Sequence, residues 1–462
     1  MLLDELKNIV GENGWTSDPD EFEPHLNEPR GLVTGKTPIM VSPTSTEQVS
    51  GILRVCSHYG AGVVPQGGNT GLCGGAVPDQ SGEQVLLLLS RMNRIRKVEP
   101  EDFSITVEAG CILSDVQDAA AAVDRCFALS LGAEGSCQIG GNLSTNAGGI
   151  NVIRYGTARQ QALGLEVVLA DGTIWDGLRS LRKDNAGYDM KQVFLGSEGT
   201  LGVITAATLR LHPDPGSTMT ALLAMDSANQ AVDLLGYLRS KLANRINAFE
   251  LISDRCLRYV VRYLPNARHP YEPPYAWYAL IEVAVEDHPD GVEAVLGDAL
   301  SEELAADAIV AKSDAEAERL WHMRHTISEA QRPEGACLKH DISVPIGRIG
   351  RFIDRSQALV EGMQPQSRLV VFGHVGDGNL HYDVVQPKGA NPERFRSEGR
   401  ALTEAIYELV TELGGSISAE HGIGVTKKAD LVRYRDTVDI QLMRTLKQAL
   451  DPQNILNPGK VI

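Results

Sequence analysis

The sequence predicts an α+β protein in two parts, and three observations support this fold class. Glycine-rich segments interrupt short apolar strands in the first half, at residues 65–76, 132–149 and 195–205. Residues 212–217, His-Pro-Asp-Pro-Gly-Ser, then break the periodicity and predict a domain boundary. Beyond this boundary, strands such as 278–285 alternate with helices such as 315–329, which is an α+β pattern.

The elements before and after the first glycine segment decide what kind of loop it is. Thr44 and Glu47 predict a capping box for a helix that ends at Gly60, and residues 62–64 then predict a strand. After the glycines the chain turns and enters another apolar strand, residues 85–89, not a helix. This order argues against a Rossmann site, whose glycines open a helix.

Composition and charge exclude several classes of function. At 462 residues and 43% hydrophobic, the chain has room for two or three globular domains. Its net charge of -17 repels nucleic acid and anionic lipid, so an anionic substrate would need a locally basic pocket. The longest apolar run, residues 85–89, is far short of the roughly 20 residues of a membrane span. Since residues 1–7 lack a targeting pattern, we expect a cytoplasmic protein.

Cysteine usage restricts the redox chemistry. The seven cysteines are scattered without any C-x-x-C pair. This excludes a disulfide framework, a cysteine-ligated zinc site and a simple iron-sulfur motif. Any electrons that the protein handles must therefore leave to a separate acceptor.

The three glycine segments together predict one elongated, phosphate-bearing ligand. Glycine permits close backbone approach and positive φ, and clustered N–H groups suit a pyrophosphate. For any single segment, tight turns explain the glycines equally well. Three segments in one half of the chain favour the ligand.

Two later segments predict a metal site. Residues 369–384 read as a β-hairpin around a Gly-Asp-Gly-Asn turn, with His374 and His381 on either side of that turn. Directly opposed Cβ atoms in a hairpin lie about 4.5–5.5 Å apart, so the two imidazoles are expected to share one ion. With Glu420 they form a set that suits zinc, and manganese, cobalt or iron also fit. Two solvated histidines are the simpler alternative.

Six motifs resemble one family, the flavoproteins related to vanillyl-alcohol oxidase and p-cresol methylhydroxylase. The motifs are PQGGNTGL from Pro65, IGGNLSTNAGG from Ile139, GSEGTLGVIT from Gly196, GHVGDGNLH from Gly373, AEHGIG from Ala419 and DPQNILNPGK from Asp451. Within the family, the chain looks most like the D-2-hydroxyglutarate and D-lactate dehydrogenase branch. The resemblance runs from about Gly35 to Ile462 and implies a two-part FAD-binding domain over 35–213, which we expect to follow an N-terminal helical segment over residues 1–34. A substrate and metal domain of the FAD-linked oxidase C-terminal type would follow over 214–462, its tail returning to the flavin.

The resemblance implies a set of cofactor-binding residues. They are Pro65, Gly67, Gly68, Asn69, Thr70, Gly71, Gly135, Ser136, Ile139, Gly141, Asn142, Thr145, Asn146, Gly148, Gly149, Glu198, Gly199, Gly202, Ile204 and Asn457. Family members that attach FAD covalently often carry histidine in the first loop. This chain has Asn69 there, so we expect non-covalent FAD.

The resemblance also implies the reaction. A 2-hydroxy acid would chelate the metal, His421 would take the hydroxyl proton, and hydride would pass to flavin N5. Arg324 and Ser328, expected on one helix face, and Lys339 on the next strand would bind substrate carboxylate.

Two positions depart from the branch. Asp383 stands where the hydroxyglutarate enzymes typically have asparagine, and Ser328 stands where they have threonine. Because residues 381 and 383 share a strand face, the Asp383 carboxylate is expected to join the substrate-binding residues and to repel an anion unless a cation compensates it.

The leading hypothesis is an FAD- and metal-dependent dehydrogenase that oxidises a D-2-hydroxy acid. D-2-Hydroxyglutarate is favoured, with D-lactate and D-malate as alternatives, and electrons would pass to an electron-transfer flavoprotein or a quinone. The second hypothesis is the FAD subunit of a glycolate or D-lactate oxidase complex with an iron-sulfur partner. A flavin transferase of the alkylglycerone-phosphate type shares the fold but does not call for the GHVGDGNLH and AEHG motifs. The oligomeric state is open, with a homodimer as one option.

Overall fold

The computed structural model describes residues 1–285 and 290–462, which divide into two compact units. Unit 1 contains Met1–Gly148, Gly156–Asp214 and Glu420–Ile462, and unit 2 contains Gly149–Tyr155 and Pro215–Ala419. Both units are therefore discontinuous in sequence. The division at residues 34 and 213 made from the sequence stays a prediction.

The strands lie between residues 15 and 385. They are β1 (Trp15–Thr16), β2 (Met40–Val41), β3 (Val63–Gln66), β4 (Val85–Leu88), β5 (Ile95–Glu99), β6 (Ser104–Glu108), β7 (Arg125–Cys126), β8 (Ala162–Val168), β9 (Ile174–Gly177), β10 (Val203–Arg210), β11 (His212–Pro213), β12 (Thr218–Met225), β13 (Ile246–Ser253), β14 (Trp277–Ala284), β15 (Asp307–Val310), β16 (Cys337–Ser343), β17 (Arg368–His374) and β18 (Asn379–Val385).

The α-helices are spread over the whole chain. They are α1 (Leu2–Val10), α2 (Pro19–Phe22), α3 (Thr46–Tyr59), α4 (Leu113–Ala121), α5 (Ile139–Ser144), α6 (Val152–Tyr155), α7 (Ala158–Gln161), α8 (Lys191–Phe194), α9 (Ala228–Leu242), α10 (Asp254–Tyr263), α11 (Asp290–Ser301), α12 (Asp314–His325), α13 (Ile327–Ala330), α14 (Ile349–Met363), α15 (Pro392–Glu412), α16 (Lys428–Tyr434) and α17 (Thr437–Leu450). Among the described residues, none of these helices has both the length and the apolar character needed to cross a membrane.

Unit 1 is built on two sheets. The first has the order β1-β2-β4-β3, in which β2, β4 and β3 are parallel, and the second is an antiparallel sheet of order β5-β6-β10-β8-β9. The apolar stripe of α3 is fully buried in one core with β3 and β4, as its helical spacing predicts. The first glycine segment begins within β3, so packing of β3 in this core fixes the position at which the segment begins.

Helix α3 begins one residue later than expected. Ser45, not Thr44, is the N-cap, because its hydroxyl accepts the backbone N–H of Gln48. Thr44 instead donates its backbone N–H to the Gln48 side chain at 2.7 Å. At the other end Gly60 adopts φ 67 and closes the helix, as predicted.

Unit 2 is built on one seven-stranded antiparallel sheet of order β15-β12-β14-β13-β17-β18-β16. Helices α10 and α13 pack on it around buried side chains such as Leu257, Ile327 and Phe372. Mixed helices and antiparallel strands confirm the α+β class. The predicted hairpin is confirmed as β17 and β18, which pair with each other and lie between β13 and β16 in the sheet.

The helix predicted over residues 315–329 is interrupted at Thr326. Its hydroxyl donates to the carbonyl of His322 at 2.8 Å and lies 3.2 Å from that of Met323. Such hydroxyl-to-backbone bonds bend helices, and here α12 ends at His325 while the short α13 begins at Ile327.

Candidate active site

The glycine segments of unit 1 line one cavity. Residues of all three segments contribute, together with Leu89 and His421. The three segments that the sequence singled out therefore meet around one cavity within a single unit.

Most of the predicted cofactor-binding residues line this cavity. Those that do so are Pro65, Gly67, Gly68, Asn69, Thr70, Gly71, Gly141, Asn142, Thr145, Glu198, Gly199, Gly202 and Ile204. The lining also includes residues that sequence reasoning missed, namely Gln66, Cys73, Gly75, Ala76, Cys137, Gln138, Gly140, Ser144 and Val203. Most of these residues are adjacent to predicted residues in the same motifs. This adjacency is the sequence feature from which they could have been predicted.

The remaining predicted residues lie elsewhere. Gly135 and Ser136 are exposed, and Ile139 is buried in the core. Asn146 uses its side-chain oxygen to accept the backbone N–H of Arg159 at 3.0 Å. Three further residues lie outside the cavity lining. Gly148 is the last residue of Met1–Gly148 in unit 1, and Gly149 is the first residue of unit 2. Asn457 donates its amide to the carbonyls of Gly75 and Glu198.

The cavity wall combines closely packed glycines, open glycine faces and unsatisfied acceptor oxygens. A Cβ added at Gly68 would lie 2.0 Å from the carbonyl oxygen of Ser136, so only glycine fits there. Gly71 and Gly141 meet nothing within 4 Å of such a Cβ, so their faces are open. Two buried oxygens, Gln138 Oε1 and Asn142 Oδ1, have no hydrogen-bond partner among the described residues. Orphaned buried acceptors are costly, and a bound ligand with hydrogen-bond donors would satisfy them.

Asn69 fits the first segment for a conformational reason. It adopts φ 51, which asparagine tolerates better than most side chains. Its amide donates to the carbonyls of Pro24 and Asn27, at 3.3 and 3.0 Å. The amide therefore anchors the loop to the N-terminal segment of the same unit.

In unit 2, the two hairpin histidines lie diagonally and not directly opposite each other. His381 pairs with Phe372 in the β17–β18 register, whereas His374 pairs with Glu250 of β13. Their rings share one sheet face, with centroids 5.7 Å apart. The expected direct opposition was wrong because the turn, residues 375–378, sets the register.

Glu250 lies beside His374 and Arg324, and sequence reasoning missed it. We call these residues, with His381, the histidine cluster. Its buried carboxylate accepts hydrogen bonds from Arg324 Nε at 2.6 Å and, through its other oxygen, bonds His374 Nδ1. Burial acts against the charge, but Arg324 and His374 together lower the pKa of Glu250 to about 2. A single carboxylate in the apolar strand Ile-Asn-Ala-Phe-Glu-Leu-Ile was the available signal.

Arg324 and Ser328 are not equivalent in their surroundings. Arg324 is 7% exposed, is paired with Glu250 and stacks over the Phe372 ring at 4.8 Å. Ser328 is exposed on α13, beyond the interruption at Thr326. Arg324 and Ser328 therefore lie on two different helices, α12 and α13, and not on one face of a single helix as expected.

The Asp383 carboxylate is buried and compensated. Lys339 Nζ lies 3.3 Å from Asp383 Oδ2, and Gln331 Nε2 donates to the same oxygen at 2.7 Å. Lys339 and Asp383 are register partners on β16 and β18. The cation expected to offset this negative charge is thus Lys339.

Asp341 is a second carboxylate beside His381. The two residues are register partners, with 3.9 Å between Asp341 Oδ1 and His381 Nδ1, and Asn379 Nδ2 donates to Asp341 Oδ1 at 3.0 Å. The Asp341 carbonyl accepts the backbone N–H of Ala419 at 3.3 Å. Glu420 and His421 follow Ala419 directly in the chain.

The glycine cavity of unit 1 and the polar sheet face of unit 2 around His374, His381 and Lys339 point to the class of flavoprotein oxidoreductases. The family comparisons agree with this class. Residues 37–177 match the FAD binding domain, and residues 214–461 match the C-terminal domain of FAD linked oxidases.

Curated relatives match nearly the whole chain. One is named a probable mitochondrial D-2-hydroxyglutarate dehydrogenase of Oryza sativa subsp. indica, 38% identical, with 99% of this chain and 81% of the relative covered. Another is named D-2-hydroxyglutarate dehydrogenase of Xanthomonas citri pv. viticola, 37% identical, covering 91% and 88%. The chain therefore belongs to the FAD-linked oxidase family, and it is an FAD-dependent oxidoreductase that acts on CH–OH donors.

A solved structure supports the fold. p-Cresol methylhydroxylase with substrate bound has a TM-score of 0.78 at 17% identity, covering 100% of this chain and 96% of that one. At this identity the likeness shows the fold alone. Together with the family matches and the curated relatives, it confirms the resemblance to this flavoprotein family.

Proposed function

We propose that this protein is a D-2-hydroxy acid dehydrogenase, with D-2-hydroxyglutarate as the favoured substrate, which it converts to the 2-oxo acid. The observation that supports the proposal most is the polar sheet face of unit 2, where His374, His381, Asp341 and Lys339 are brought together. The names of the curated relatives support the choice of D-2-hydroxyglutarate.

FAD would be held by the residues of the glycine cavity. The open faces of Gly71 and Gly141 and the orphaned oxygens of Gln138 and Asn142 fit a large ligand with phosphates and ring N–H groups. Bound there, FAD supplies the two-electron acceptor of the reaction. Asn69 at the first segment supports a dissociable flavin.

A divalent metal fits the donor set of the cluster. His374 uses Nδ1 for Glu250, so it would bind an ion through Nε2, which is the usual carboxylate–histidine–metal arrangement. We keep His374, His381 and Glu420 as the proposed ligands and add Asp341 as a further oxygen donor. Imidazole and carboxylate ligands suit zinc, with manganese, cobalt and iron as alternatives, and such an ion lowers the pKa of a hydroxyl that binds it.

His421 is the proposed general base. It is half-buried and lines the glycine cavity of unit 1. A near-neutral imidazole suits the removal of a hydroxyl proton at physiological pH.

Lys339 is the proposed partner of a substrate carboxylate. Its side chain is 32% exposed while its ammonium lies near Asp383, so it can shift toward an anion. Arg324 and Ser328 keep their proposed substrate roles, although Arg324 acts through a guanidinium that also holds Glu250.

Anaerobic flavin reduction tests the proposal. The purified holoprotein is mixed without oxygen with D-2-hydroxyglutarate, D-lactate, D-malate and glycolate, each beside its L-enantiomer where one exists. We expect loss of the oxidised-flavin absorbance with D-2-hydroxyglutarate and less with the others. An unchanged spectrum with all of them contradicts the proposal, and equal rates with both enantiomers contradict its stereochemistry.

The acceptor and the cell compartment remain proposals made from the sequence. We propose an electron-transfer flavoprotein or a quinone as acceptor, because the seven cysteines form no cluster motif. The alternative is a subunit that needs an iron-sulfur partner. Full dye-linked activity of the isolated chain would contradict that alternative.

A further inference from the structure

Glu198, in the third glycine segment of unit 1, adopts an uncommon backbone conformation. Its φ is 51, a region that side chains other than glycine, asparagine and aspartate seldom occupy. Strained residues of this kind persist only where the surroundings hold them, and they cluster at functional sites.

Both oxygens of the Glu198 carboxylate bind the backbone of the segment that follows His421. Oε1 accepts the N–H of Ile423 at 2.7 Å, and Oε2 accepts the N–H of Gly424 at 2.9 Å. A Cβ added at Gly422 would lie 2.8 Å from Oε1, so glycine lets this segment wrap closely around the carboxylate. Desolvation raises the pKa of Glu198, and these two N–H groups act in the opposite direction.

The backbone of Glu198 is held as firmly as its side chain. Its N–H donates to the carbonyl of Ser144 at 2.8 Å, and its carbonyl accepts from Asn457 Nδ2 at 2.7 Å. The same Asn457 amide donates to the Gly75 carbonyl at 2.8 Å. Glu198 thus connects the His421 segment to the second glycine segment and to the C-terminal tail, and Asn457 extends this connection to the first glycine segment.

We propose that Glu198 is a positioning residue that holds residues 422–424 and thereby orients the His421 imidazole at the cavity. His421 and Glu198 both line that cavity, and only Gly422 separates His421 from the first bound N–H. Since both carboxylate oxygens are engaged by backbone N–H groups, the main role of Glu198 is within the protein and not toward the cofactor. This inference rests on the proposed role of His421 as the general base.

The substitution Glu198→Gln tests the inference with little change in shape. An amide has one accepting oxygen, so its NH₂ group would face one of the two backbone N–H groups. We expect the rate constant of anaerobic flavin reduction to fall by about 100-fold, as for a small misplacement of a reacting group. The bound FAD per chain and the substrate concentration for half-saturation should stay unchanged.

A double-mutant cycle separates positioning from general destabilisation. Combining Glu198→Gln with His421→Asn should give a rate no lower than His421→Asn alone, because both changes remove the same function. Glu166→Gln is the matched control, since Glu166 is a buried carboxylate of the same unit that bonds Arg96, Thr46 and Thr205. Its effect should add to that of His421→Asn.

Chemical labelling gives a readout that needs no substrate. Diethyl pyrocarbonate modification of His421, followed by mass spectrometry, should change at least about threefold in rate in Glu198→Gln, as expected for a moved imidazole. Exposed His58 serves as the internal reference. If the wild type shows no flavin reduction, the proposed function fails, while this labelling still decides the role of Glu198.

Two outcomes would overturn the inference. One is unchanged His421 labelling together with additive effects in the cycle, and the other is loss of FAD from Glu198→Gln with normal His421 labelling. If Glu198→Gln does not fold, Gly75→Ala replaces it, because its Cβ would lie 3.0 Å from Glu198 Oε2 and would shift the carboxylate by a few tenths of an ångström. The same labelling change at His421 is then expected.

Discussion

Lys339 Nζ lies 3.3 Å from Asp383 Oδ2, across the register pair that joins β16 to β18. The ammonium proposed to bind a substrate carboxylate is therefore already partnered by a carboxylate of the protein. Any anionic substrate must compete with Asp383 for this cation, which makes the pair a candidate determinant of substrate preference.

Asp383→Asn should favour a dicarboxylate. The substitution removes the competing charge while the amide still reaches Gln331 and Lys339. We expect the KM for D-2-hydroxyglutarate to fall by about fivefold, which corresponds to about 1 kcal/mol for a partly exposed ion pair, with a smaller change for D-lactate. Steady-state kinetics with a dye acceptor measure both. Lys339→Gln is the control and should raise the KM for both acids, whereas an unchanged ratio in Asp383→Asn would show that Asp383 does not select substrate.

Glu250→Gln should weaken metal binding. The carboxylate bonds His374 Nδ1 and favours the tautomer that turns Nε2 toward an ion, whereas an amide can hold either tautomer. We expect about 10- to 100-fold weaker zinc affinity, the usual loss for an outer carboxylate partner of a ligating histidine. Competition with a zinc indicator dye measures this directly. Ser328→Ala, at an exposed position of α13, is the control that should leave zinc affinity unchanged.

Metal removal should stop the reaction without removing the flavin. Chelator treatment followed by gel filtration is expected to lower the rate of flavin reduction by several orders of magnitude, because the substrate hydroxyl then keeps its high pKa. FAD content should be unchanged, since none of the proposed metal ligands lines the glycine cavity. Added zinc or manganese should restore the rate. Full activity in a metal-free sample, verified by elemental analysis, would remove the metal from the proposal.

Acid stability should depend on Glu166. Burial opposes its charge, but Arg96, Thr46 and Thr205 hold its pKa below the ordinary 4.5 in the folded protein. A carboxylate with a lowered folded pKa stabilises fully above its unfolded pKa, and this stabilisation is lost as the pH falls through the folded value. The wild-type melting temperature should therefore drop below about pH 4.5.

Glu166→Gln provides the comparison for that pH effect. At pH 7 this substitution should lower the free energy of unfolding by about 2 kcal/mol, as for the loss of hydrogen bonds to a charged group. At acid pH its melting temperature should fall less steeply than that of the wild type. Thermal unfolding of the holoprotein between pH 3 and 7, as an approximate working range around these pKa values, measures both. If the melting temperatures of the two proteins fell equally at acid pH, the proposed role of Glu166 in acid stability would be contradicted.

The sequence by itself determined the features that depend on local patterns. Gly60 at the end of α3, the strand after the first glycine segment and the β17–β18 hairpin follow from turn chemistry and from side-chain periods that span a few residues. The glycine segments could be predicted for the same reason, because the glycines that allow close backbone approach are adjacent in the sequence. The motifs also predicted the flavoprotein family, which the comparisons confirm.

Only the tertiary structure decided which polar groups are partners. Glu250 and His374 lie 124 residues apart in sequence, and Glu198 and Ile423 lie 225 apart. Residues 331 and 383 are 52 apart, yet Gln331 and Lys339 together compensate Asp383. Strand order and register bring such groups together, and no local period encodes them. The sequence therefore predicted candidate residues for the chemistry, whereas the pairing of strands and loops decided which buried charges lie beside them.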